Sequence, residues 1–352
     1  MVQNKNKESN SVTSHDVARV ANVSQALVSR AFSGKGRISP ETRARILKVA
    51  EDIGWHPNAL ARSVVTGDAP LVAVVTARLN FDWRAQVLSH LLKSIQAWHL
   101  KPLLFYAEND DDVDRLLGET MEWRTRGVIV MAGDIRARRA EAIISGGQFL
   151  ATLNRPANHP DAFSVATDNQ QGGAMAASLL VDEGRRKFLV LSGPQNNWAS
   201  ALRTQGFVEA IRSRGESVII WHNEAMTMEA GKECAAAFHG LRHHERPDAV
   251  FATDDALALG FMDGVRGQTG IPADLSLLGF DNLAASSWLP YQLTTFEQPL
   301  SEMVGRMVHY INLHQNRPQD AFCSTSPHRI GEDGVVYCLP KIIQRSTTKP
   351  TP

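Results

Sequence analysis

Asp16-Val17-Ala18-Arg19-Val20-Ala21-Asn22-Val23-Ser24-Gln25-Ala26-Leu27-Val28-Ser29-Arg30-Ala31-Phe32 reads as two short helices joined by a tight turn. Val17, Val20 and Ala21 give the first helix one apolar face, and Val28, Ala31 and Phe32 do the same for the second. Asn22 falls where the chain must turn, and Asn tolerates positive φ better than most residues. Ser24 is placed to cap the second helix through its hydroxyl. Helical spacing then puts Gln25, Ala26, Ser29 and Arg30 on the outward face of that helix. Gln and Arg can read base edges in a DNA major groove, and Ser can hold a phosphate. An ordinary helical hairpin with a solvated polar face fits the same residues, so the flanking sequence has to decide.

Outward from this stretch, Ser39-Pro40-Glu41-Thr42 is a helix start. Ser39 is the cap, Pro40 takes the first helical position, and Thr42 stands where a capping box commonly has Glu or Gln. Ile46, Leu47, Val49, Ala50 and Ile53 form a stripe that closes a small three-helix core, and Gly54 ends the helix. In the following Trp55-His56-Pro57-Asn58-Ala59-Leu60-Ala61-Arg62-Ser63-Val64-Val65-Thr66-Gly67, Asn58 can cap another helix. At about two turns that helix is marginal alone in water and needs its copy in a dimer, or DNA, to dock against.

Asp16-Val17-Ala18, Val23-Ser24, Val28-Ser29-Arg30, Ser39-Pro40-Glu41-Thr42-Arg43 and Pro57-Asn58-Ala59-Leu60-Ala61-Arg62-Ser63 occur together and in order. Through them, residues 14–67 resemble the DNA-binding head and hinge helix of the lactose-repressor/galactose-repressor family of bacterial transcription regulators. The resemblance implies that Gln25, Ala26 and Arg30 face bases while Ser24 and Ser29 anchor phosphates. It also implies that hinge helices, about Asn58 to Val65 and including Leu60 and Ala61, pair and enter the minor groove. Family members commonly wedge a Leu into the central base step, where this chain offers Val64. The missing methylene forfeits about 0.8 kcal/mol of apolar burial per wedge, so shallower insertion and a smaller bend are expected. Val64→Leu should then tighten operator binding and increase bending, and a variant with both unchanged would refute the idea.

Charge and composition agree with a DNA-binding head. The chain is neutral, with 37 Lys+Arg against 37 Asp+Glu, but residues 1–68 hold ten basic and six acidic side chains. A basic head on an acidic body suits a phosphate-binding module attached to a domain with another task. A length of 352 residues exceeds one core and predicts two or three domains. Residues 1–13 have the composition of a disordered tail and lack the apolar stretch of a signal peptide. No apolar run approaches a membrane span. Cys234, Cys323 and Cys338 lack metal-ligand spacing and are odd in number, which fits free thiols in a reducing cytoplasm. His243-His244 lacks helical i, i+4 spacing and a third nearby ligand, so no metal is expected there. No nucleophile with a base and an orienting partner stands out, no Gly-rich phosphate loop is present, and neither a cofactor nor enzyme chemistry is expected.

From Leu71 onward, continuous apolar runs alternate with helical patterns. The runs are 71–76, 102–106, 127–131, 149–153, 187–192, 218–221, 249–252 and 275–280. Continuous hydrophobicity means strands buried on both faces, as in a parallel sheet, with helices such as 83–98 and 172–183 as crossovers. The predicted class is therefore α/β: a small all-α helix-turn-helix head followed by a two-lobed, doubly wound parallel-sheet sensor of the periplasmic-binding-protein type. The expected organisation is a tail at 1–13, a helix-turn-helix domain at 14–57 and a hinge with linker at 58–70. The sensor follows at 71–347 and a short tail at 348–352. Lobe 1 is expected at 71–166 and 297–330, and lobe 2 at 167–296 and 331–347.

The resemblance continues through Thr167-Asp168-Asn169-Gln170-Gln171-Gly172-Gly173, Arg203-Thr204-Gln205-Gly206-Phe207 and Thr253-Asp254-Asp255-Ala256-Leu257-Ala258-Leu259-Gly260. It also runs through Leu278-Gly279-Phe280-Asp281, Leu293-Thr294-Thr295-Phe296-Glu297-Gln298-Pro299 and the closing Lys341-Ile342-Ile343-Gln344-Arg345-Ser346-Thr347, and so covers residues 14–347. It implies an effector site between the lobes, beyond the carboxyl ends of the strands. The candidates are Asp281, whose carboxylate can accept two sugar hydroxyls, and Arg203, whose planar fork suits vicinal hydroxyls or a carboxylate. With them stand Asp254, Asn154, Asn197 and, from the loop after the first strand, Ala77, Phe81 and Trp83. A turn or cap is the alternative for Asp281, a surface ion pair for Arg203 and plain core packing for the two aromatics. Asp254 stands where many relatives have Asn, a change that removes donors and adds charge, and Asp255 can be structural.

A sugar, sugar acid or sugar phosphate leads as effector, with a purine or nucleoside as alternative. The expected partners are a double-stranded DNA operator, that effector and a second copy in a homodimer or higher oligomer, with no membrane. The amphipathic helices at 84–98 and 299–314 either flank the dimer seam or serve the internal core. A cytoplasmic sugar-binding module without DNA activity and an enzyme of sugar metabolism are the rival functions, and residues 14–67 count against both.

Overall fold

The computed structural model describes residues 12–33, 36–58, 70–77, 79, 82–109, 112–133, 135–266, 274–316 and 329–349. The chain divides into two compact units, Met1–Ala69 and Pro70–Pro352.

The first unit is built from α1 (Ser14–Val20), α2 (Gln25–Ser33) and α3 (Pro40–Asp52). Thr13 and Asp16 form a capping box at the start of α1, with the Asp16 carboxylate accepting from the Thr13 backbone N–H at 3.0 Å and its hydroxyl at 2.8 Å. The bond from that backbone N–H, then Arg19, lowers the Asp16 acid to about 2. Asn22 makes the turn at φ +50°. The Ser24 hydroxyl accepts from the Leu27 N–H at 3.3 Å, and the Ser39 hydroxyl from the Thr42 N–H at 3.2 Å. Val17, Ala18, Ala21, Val28, Ala31, Ile46 and Ala50 are buried together, with Phe32 edge-on to Trp55 at 5.0 Å.

Two expected core residues lie outside that core: Val20 is 51% exposed and Leu47 40%. At 3.6 residues per turn, each falls roughly 110° around its helix from the centre of the buried face. Ala18 takes the place expected for Val20.

The second unit holds two sheets, parallel throughout except where Arg329–Ile330 pairs with Val335–Cys338 at the edge of the first. The first combines β1 (Leu71–Ala77), β2 (Lys101–Ala107), β3 (Gly127–Val130), β4 (Phe149–Leu153), β5 (Phe163–Thr167), β11 (Arg329–Ile330) and β12 (Val335–Cys338) in the order β11-β12-β5-β4-β3-β1-β2. The second combines β6 (Phe188–Ser192), β7 (Val218–His222), β8 (Ala249–Ala252) and β9 (Ser276–Leu278) in the order β7-β6-β8-β9. A separate antiparallel pair joins β10 (Thr295–Glu297) to β13 (Lys341–Ile343).

Successive side chains of β1 enter opposite cores. Val72 and Val74 pack with α4 (Asp82–Ala97) and α11 (Leu300–Asn316), while Ala73, Val75 and Ala77 pack with α5 (Val113–Thr120) and α6 (Ala137–Ser145). Burial on both faces explains why these strands lack polar alternation. The remaining helices, α7 (Asn169–Asp182), α8 (Trp198–Arg212), α9 (Met228–Gly240) and α10 (Asp255–Val265), cover the second sheet.

Two expectations change. Residues 331–347 do not all join the second lobe, because Val335–Cys338 pairs in parallel with β5 in the first sheet. The last crossing comes at Leu339-Pro340, and a four-residue apolar run fits either sheet equally well by composition. The stripes of α4 and α11, considered for a dimer seam, are internal: Val87, Leu91, Ile95, Met303, Met307 and Ile311 are buried in the first-lobe core. Among the described residues no helix is long and apolar enough to cross a membrane.

Candidate functional site

In the first unit, α2 turns Val28 and Ala31 inward and leaves Ser24, Gln25, Ala26, Ser29 and Arg30 exposed. The Gln25 amide donates to the Ser14 hydroxyl at 3.1 Å, which holds the first outward side chain against α1. Asn58 is exposed, whereas Leu60, Ala61 and Val64 lie outside the described residues.

In the second unit the polar candidates converge where strands of both sheets end. Arg203 lies on α8 and is 4% exposed. Its placement follows from two glycines at the α7–α8 crossing. A methyl at Gly173 would sit 2.0 Å from the Arg203 carbonyl oxygen, and one at Gly206 would sit 1.9 Å from that of Gln170. This approach brings Asn169 Oδ1 within 2.8 Å of Arg203 Nε, while Arg203 Nη1 donates to the Thr253 carbonyl at 2.7 Å and lies 3.1 Å from Asp281 Oδ1. The guanidinium lies 3.7 Å from the centroid of the Phe280 ring, a cation–π contact.

Asp281 follows the end of β9 at φ +111°, a conformation that side chains rarely adopt and that strain at functional sites often explains. The Gln298 amide nitrogen donates to its Oδ1 at 2.5 Å. The Gln298 oxygen in turn accepts from the Asn154 amide at 3.0 Å and the Thr167 hydroxyl at 2.7 Å. Asn154 sits just past β4 at φ +63°, and its own oxygen accepts from the Thr167 N–H at 3.1 Å. A continuous chain of hydrogen bonds therefore runs from first-lobe Asn154 through Gln298 to second-lobe Asp281 and Arg203.

Asp254 caps α10, accepting from the N–H groups of Ala256 at 2.7 Å and Leu257 at 3.3 Å. Burial, then the charges of Asp281 and Asp255, holds Asp254 well above the usual carboxylate range. Burial likewise raises Asp281, against the pull of Arg203. Asp255 has a different environment. It accepts from the Leu283 N–H at 2.8 Å and from the hydroxyls of Ser286 and Thr295 at 2.6 Å each. Burial pushes its acid up to about 7 against those bonds, and its role is to tie α10 to the loop after β9.

Asn197 caps α8, accepting from the Ser200 N–H at 2.9 Å, and is half-buried. Its neighbour Trp198 stacks on Tyr337 of β12 at 6.5 Å, an aromatic contact between the second lobe's helix and the first lobe's sheet. Ala77 is fully buried in the core beneath the first sheet, and the Arg84 guanidinium donates to its carbonyl at 2.7 Å. Trp83 packs on the opposite core, and its indole nitrogen is buried with no hydrogen-bond partner among the described residues, as is the Thr76 hydroxyl at the end of β1. Phe81 lies outside the described residues.

Sequence reasoning missed Gln298, Thr167 and Asn169 as members of this array. Each was within a quoted crossing motif, but their partners are far away in the chain. Among the described residues no group of three or more His, Cys, Asp or Glu is placed to hold a metal ion. The array offers fixed donors and acceptors at strand ends, which suits binding a polar small molecule.

Comparison with known proteins matches residues 13–58 to the family described as bacterial regulatory proteins, lacI family, and residues 177–320 to the periplasmic binding protein-like domain. Catabolite control protein A of Priestia megaterium is 26% identical over 330 residues, covering 91% of this chain and 97% of that protein. The HTH-type transcriptional repressor PurR of Vibrio atlanticus is 26% identical over 351 residues, covering 96% and 98%. The lac repressor dimer bound to operator and the anti-inducer ONPF superposes with a TM-score of 0.82 at 19% identity, covering 96% of this chain and 99% of that one.

Proposed function

The chain belongs to the lacI family of bacterial regulatory proteins, and from that premise we propose that it represses transcription as a homodimer on a near-palindromic operator, under control of a small polyhydroxylated effector. It is a DNA-binding transcriptional regulator and not an enzyme, as are the relatives that match it along nearly their whole length.

The observation that carries the reading is the exposed outer face of α2 on a fully packed three-helix core. Gln25, Ala26 and Arg30 would meet base edges, and Ser24 and Ser29 would meet phosphates. The hinge from Asn58, with Leu60, Ala61 and Val64, would enter the minor groove between the two half-sites. Such a protein acts on DNA in the cytoplasm.

For the effector, Arg203, Asp254, Asp281 and Asn154 supply polar contacts, Asn197 supplies an orienting group, and Trp83 with Phe81 covers the apolar face of a ring. The buried Trp83 indole nitrogen and Thr76 hydroxyl support this reading, because buried donors normally find a partner. An effector shifts the regulator only through unequal affinity for two states. The Asn154–Gln298–Asp281 chain is one element that both lobes share, so closure around a ligand would act on it. For the dimer, Leu104 and Tyr106 on the edge strand β2, and Trp288 and Leu289 at 58% and 89% exposure, are apolar surface that a second copy would cover.

The test is selection of genomic fragments by the purified full-length protein, followed by sequencing. A shared palindrome is expected among the enriched fragments. No enrichment at low or moderate salt, with or without candidate sugars and nucleosides, would overturn the operator reading.

A further inference from the structure

Ala166, Val335 and Tyr337 are buried on the first sheet in a small apolar cluster of their own. On β5 and β12, Phe163, Val165, Val336 and Cys338 turn toward α4 and α11. The pleat sends Ala166, Val335 and Tyr337 to the opposite face, where Tyr337 stands beside Ala166 in the register of the two strands. The core beneath α5 and α6 occupies that face at β1, β3 and β4 and does not include them. Among the described residues, the apolar side chain packed over this corner is Trp198, which the second lobe contributes from the first position of α8. Its ring is stacked on that of Tyr337, 18° from parallel.

Each ring is held by its own lobe. The Tyr337 hydroxyl donates to Asp333 Oδ2 at 2.6 Å. Trp198 follows the cap at Asn197, and the nearby Ser200 hydroxyl accepts from the Gly193 N–H and pairs with the Thr253 hydroxyl, at 2.8 Å each. A rotation between the lobes therefore cannot carry the stack along. It has to part the rings and expose the corner to water, which the hydrophobic effect opposes. Arg203 lies five residues further along the same helix, so a ligand that draws on Arg203 acts on the stack through α8.

We propose that Trp198 is an interlobe clasp, which holds the lobe arrangement of the effector-free protein by covering the corner at Ala166, Val335 and Tyr337. The strength of this contact sets how readily the lobes turn. The inference rests on the regulator reading above and adds the contact that resists the turn.

The test reads the distance between the lobes in the full-length protein with no effector present. Dyes are attached through Arg138→Cys on α6 and Glu229→Cys on α9, both exposed, in a Cys323→Ser background, since Cys234 and Cys338 are buried. Excess unlabelled protein leaves one labelled chain per assembly, and single-pair energy transfer gives the distribution of distances. Trp198→Phe keeps an aromatic cover and should match the wild type. Trp198→Ala should raise the population of a second distance roughly 3- to 10-fold, the range for a lost aromatic pair. Trp198→Glu should raise it further, because a charge is driven off an apolar surface while an acid in the first turn still suits the start of α8. Tyr337→Ala should favour the same second distance and add little to Trp198→Ala, as expected of two halves of one contact. Operator affinity of each variant, on the fragments recovered by the selection above, should change at least roughly threefold in Trp198→Glu.

A distance distribution that does not move in Trp198→Glu overturns the clasp, even if the variant unfolds at lower urea, because a merely structural contact alters stability and leaves the lobes where they are. Full additivity of Trp198→Ala and Tyr337→Ala overturns it too. If the distances shift as expected but operator affinity does not follow, or no operator is found, the clasp stands and the reading in which lobe rotation governs DNA binding is what fails.

Discussion

The outer face of α2 and the network around Arg203 use polar side chains in opposite ways. On α2, Ser24, Gln25, Ser29 and Arg30 are exposed, and the core beneath them is complete without them. Around Arg203, the guanidinium, Asp254, Asp281 and Gln298 are buried and bonded to protein groups, Asp281 to both Arg203 and Gln298. A residue of the α2 face, Ser24 apart, can therefore be lost with little cost to the fold. A residue of the network cannot be lost without leaving its partner buried and unsatisfied. In the proposed roles, recognition and folding are separable in one region and fused in the other.

The strongest attempt to break this contrast is Arg203→Ala. Removing one partner of a buried ion pair typically costs about 3–5 kcal/mol, because the other charge stays behind. Urea unfolding of the sensor should show a loss of that size, together with loss of any effector response, while the folded fraction keeps its operator affinity. A loss below about 1 kcal/mol would mean that the pair is solvated and that the two regions are alike.

Asp255 sharpens the same point through pH. Its folded acid, at about 7, lies above the ordinary 3.8. Its contribution to stability is therefore full below the ordinary value and is lost as pH rises through about 7, because the unfolded chain ionises first. Between those limits the wild type should lose roughly 2–4 kcal/mol relative to Asp255→Asn. Chemical denaturation of both proteins across the range measures this directly. Parallel pH profiles would show that Asp255 is ionised throughout, stabilised fully by its three donors. Among the described residues of the head no acid is buried, and Asp16 is lowered rather than raised.

On α2 the expectation reverses. Arg30→Ala should weaken operator binding roughly 10- to 100-fold, the range for a lost bidentate base contact. Its unfolding free energy should move by no more than about 0.5 kcal/mol, as for other surface substitutions. Fluorescence anisotropy with operator and scrambled DNA separates the outcomes. Equal weakening on both sequences would make Arg30 a phosphate contact.

The same contrast explains what could be read from the sequence. An exposed face on a packed helix is a local pattern, so Gln25, Ser29 and Arg30 followed from spacing alone. The continuous apolar strands were legible for the same reason. Gln298 was not, because its partners Asn154 and Thr167 lie 144 and 131 positions away. Asp254 and Asp255 are neighbours of one residue type, yet one caps a helix and the other binds three donors from Leu283, Ser286 and strand β10. No periodicity distinguishes them. The last crossing was misplaced because Val335–Cys338 satisfies the apolar rule for either sheet, and the choice depends on pairing with β5. Val20 and Leu47 show the limit at short range, where counting apolar residues overstates the width of a buried face.

Ser24 is the residue at which the contrast should fail, and by the smallest amount. It is exposed like the rest of the α2 face, yet its hydroxyl accepts from the Leu27 N–H at 3.3 Å and so belongs to the fold as well. Ser24→Ala should therefore cost both regions' currencies at once. Loss of the cap is worth about 0.5–1 kcal/mol at a bond this long, whereas Ser24→Gly should cost only a few tenths. Loss of a phosphate contact should weaken operator and scrambled DNA equally, without changing base preference. Thermal unfolding of the isolated contribution is read from the Ala–Gly difference, and the anisotropy series reads the rest. If Ser24→Ala instead relaxed sequence preference with stability unchanged, Ser24 would be a reading residue like Arg30, and the start of α2 would lie deeper in the groove than the cap geometry supports.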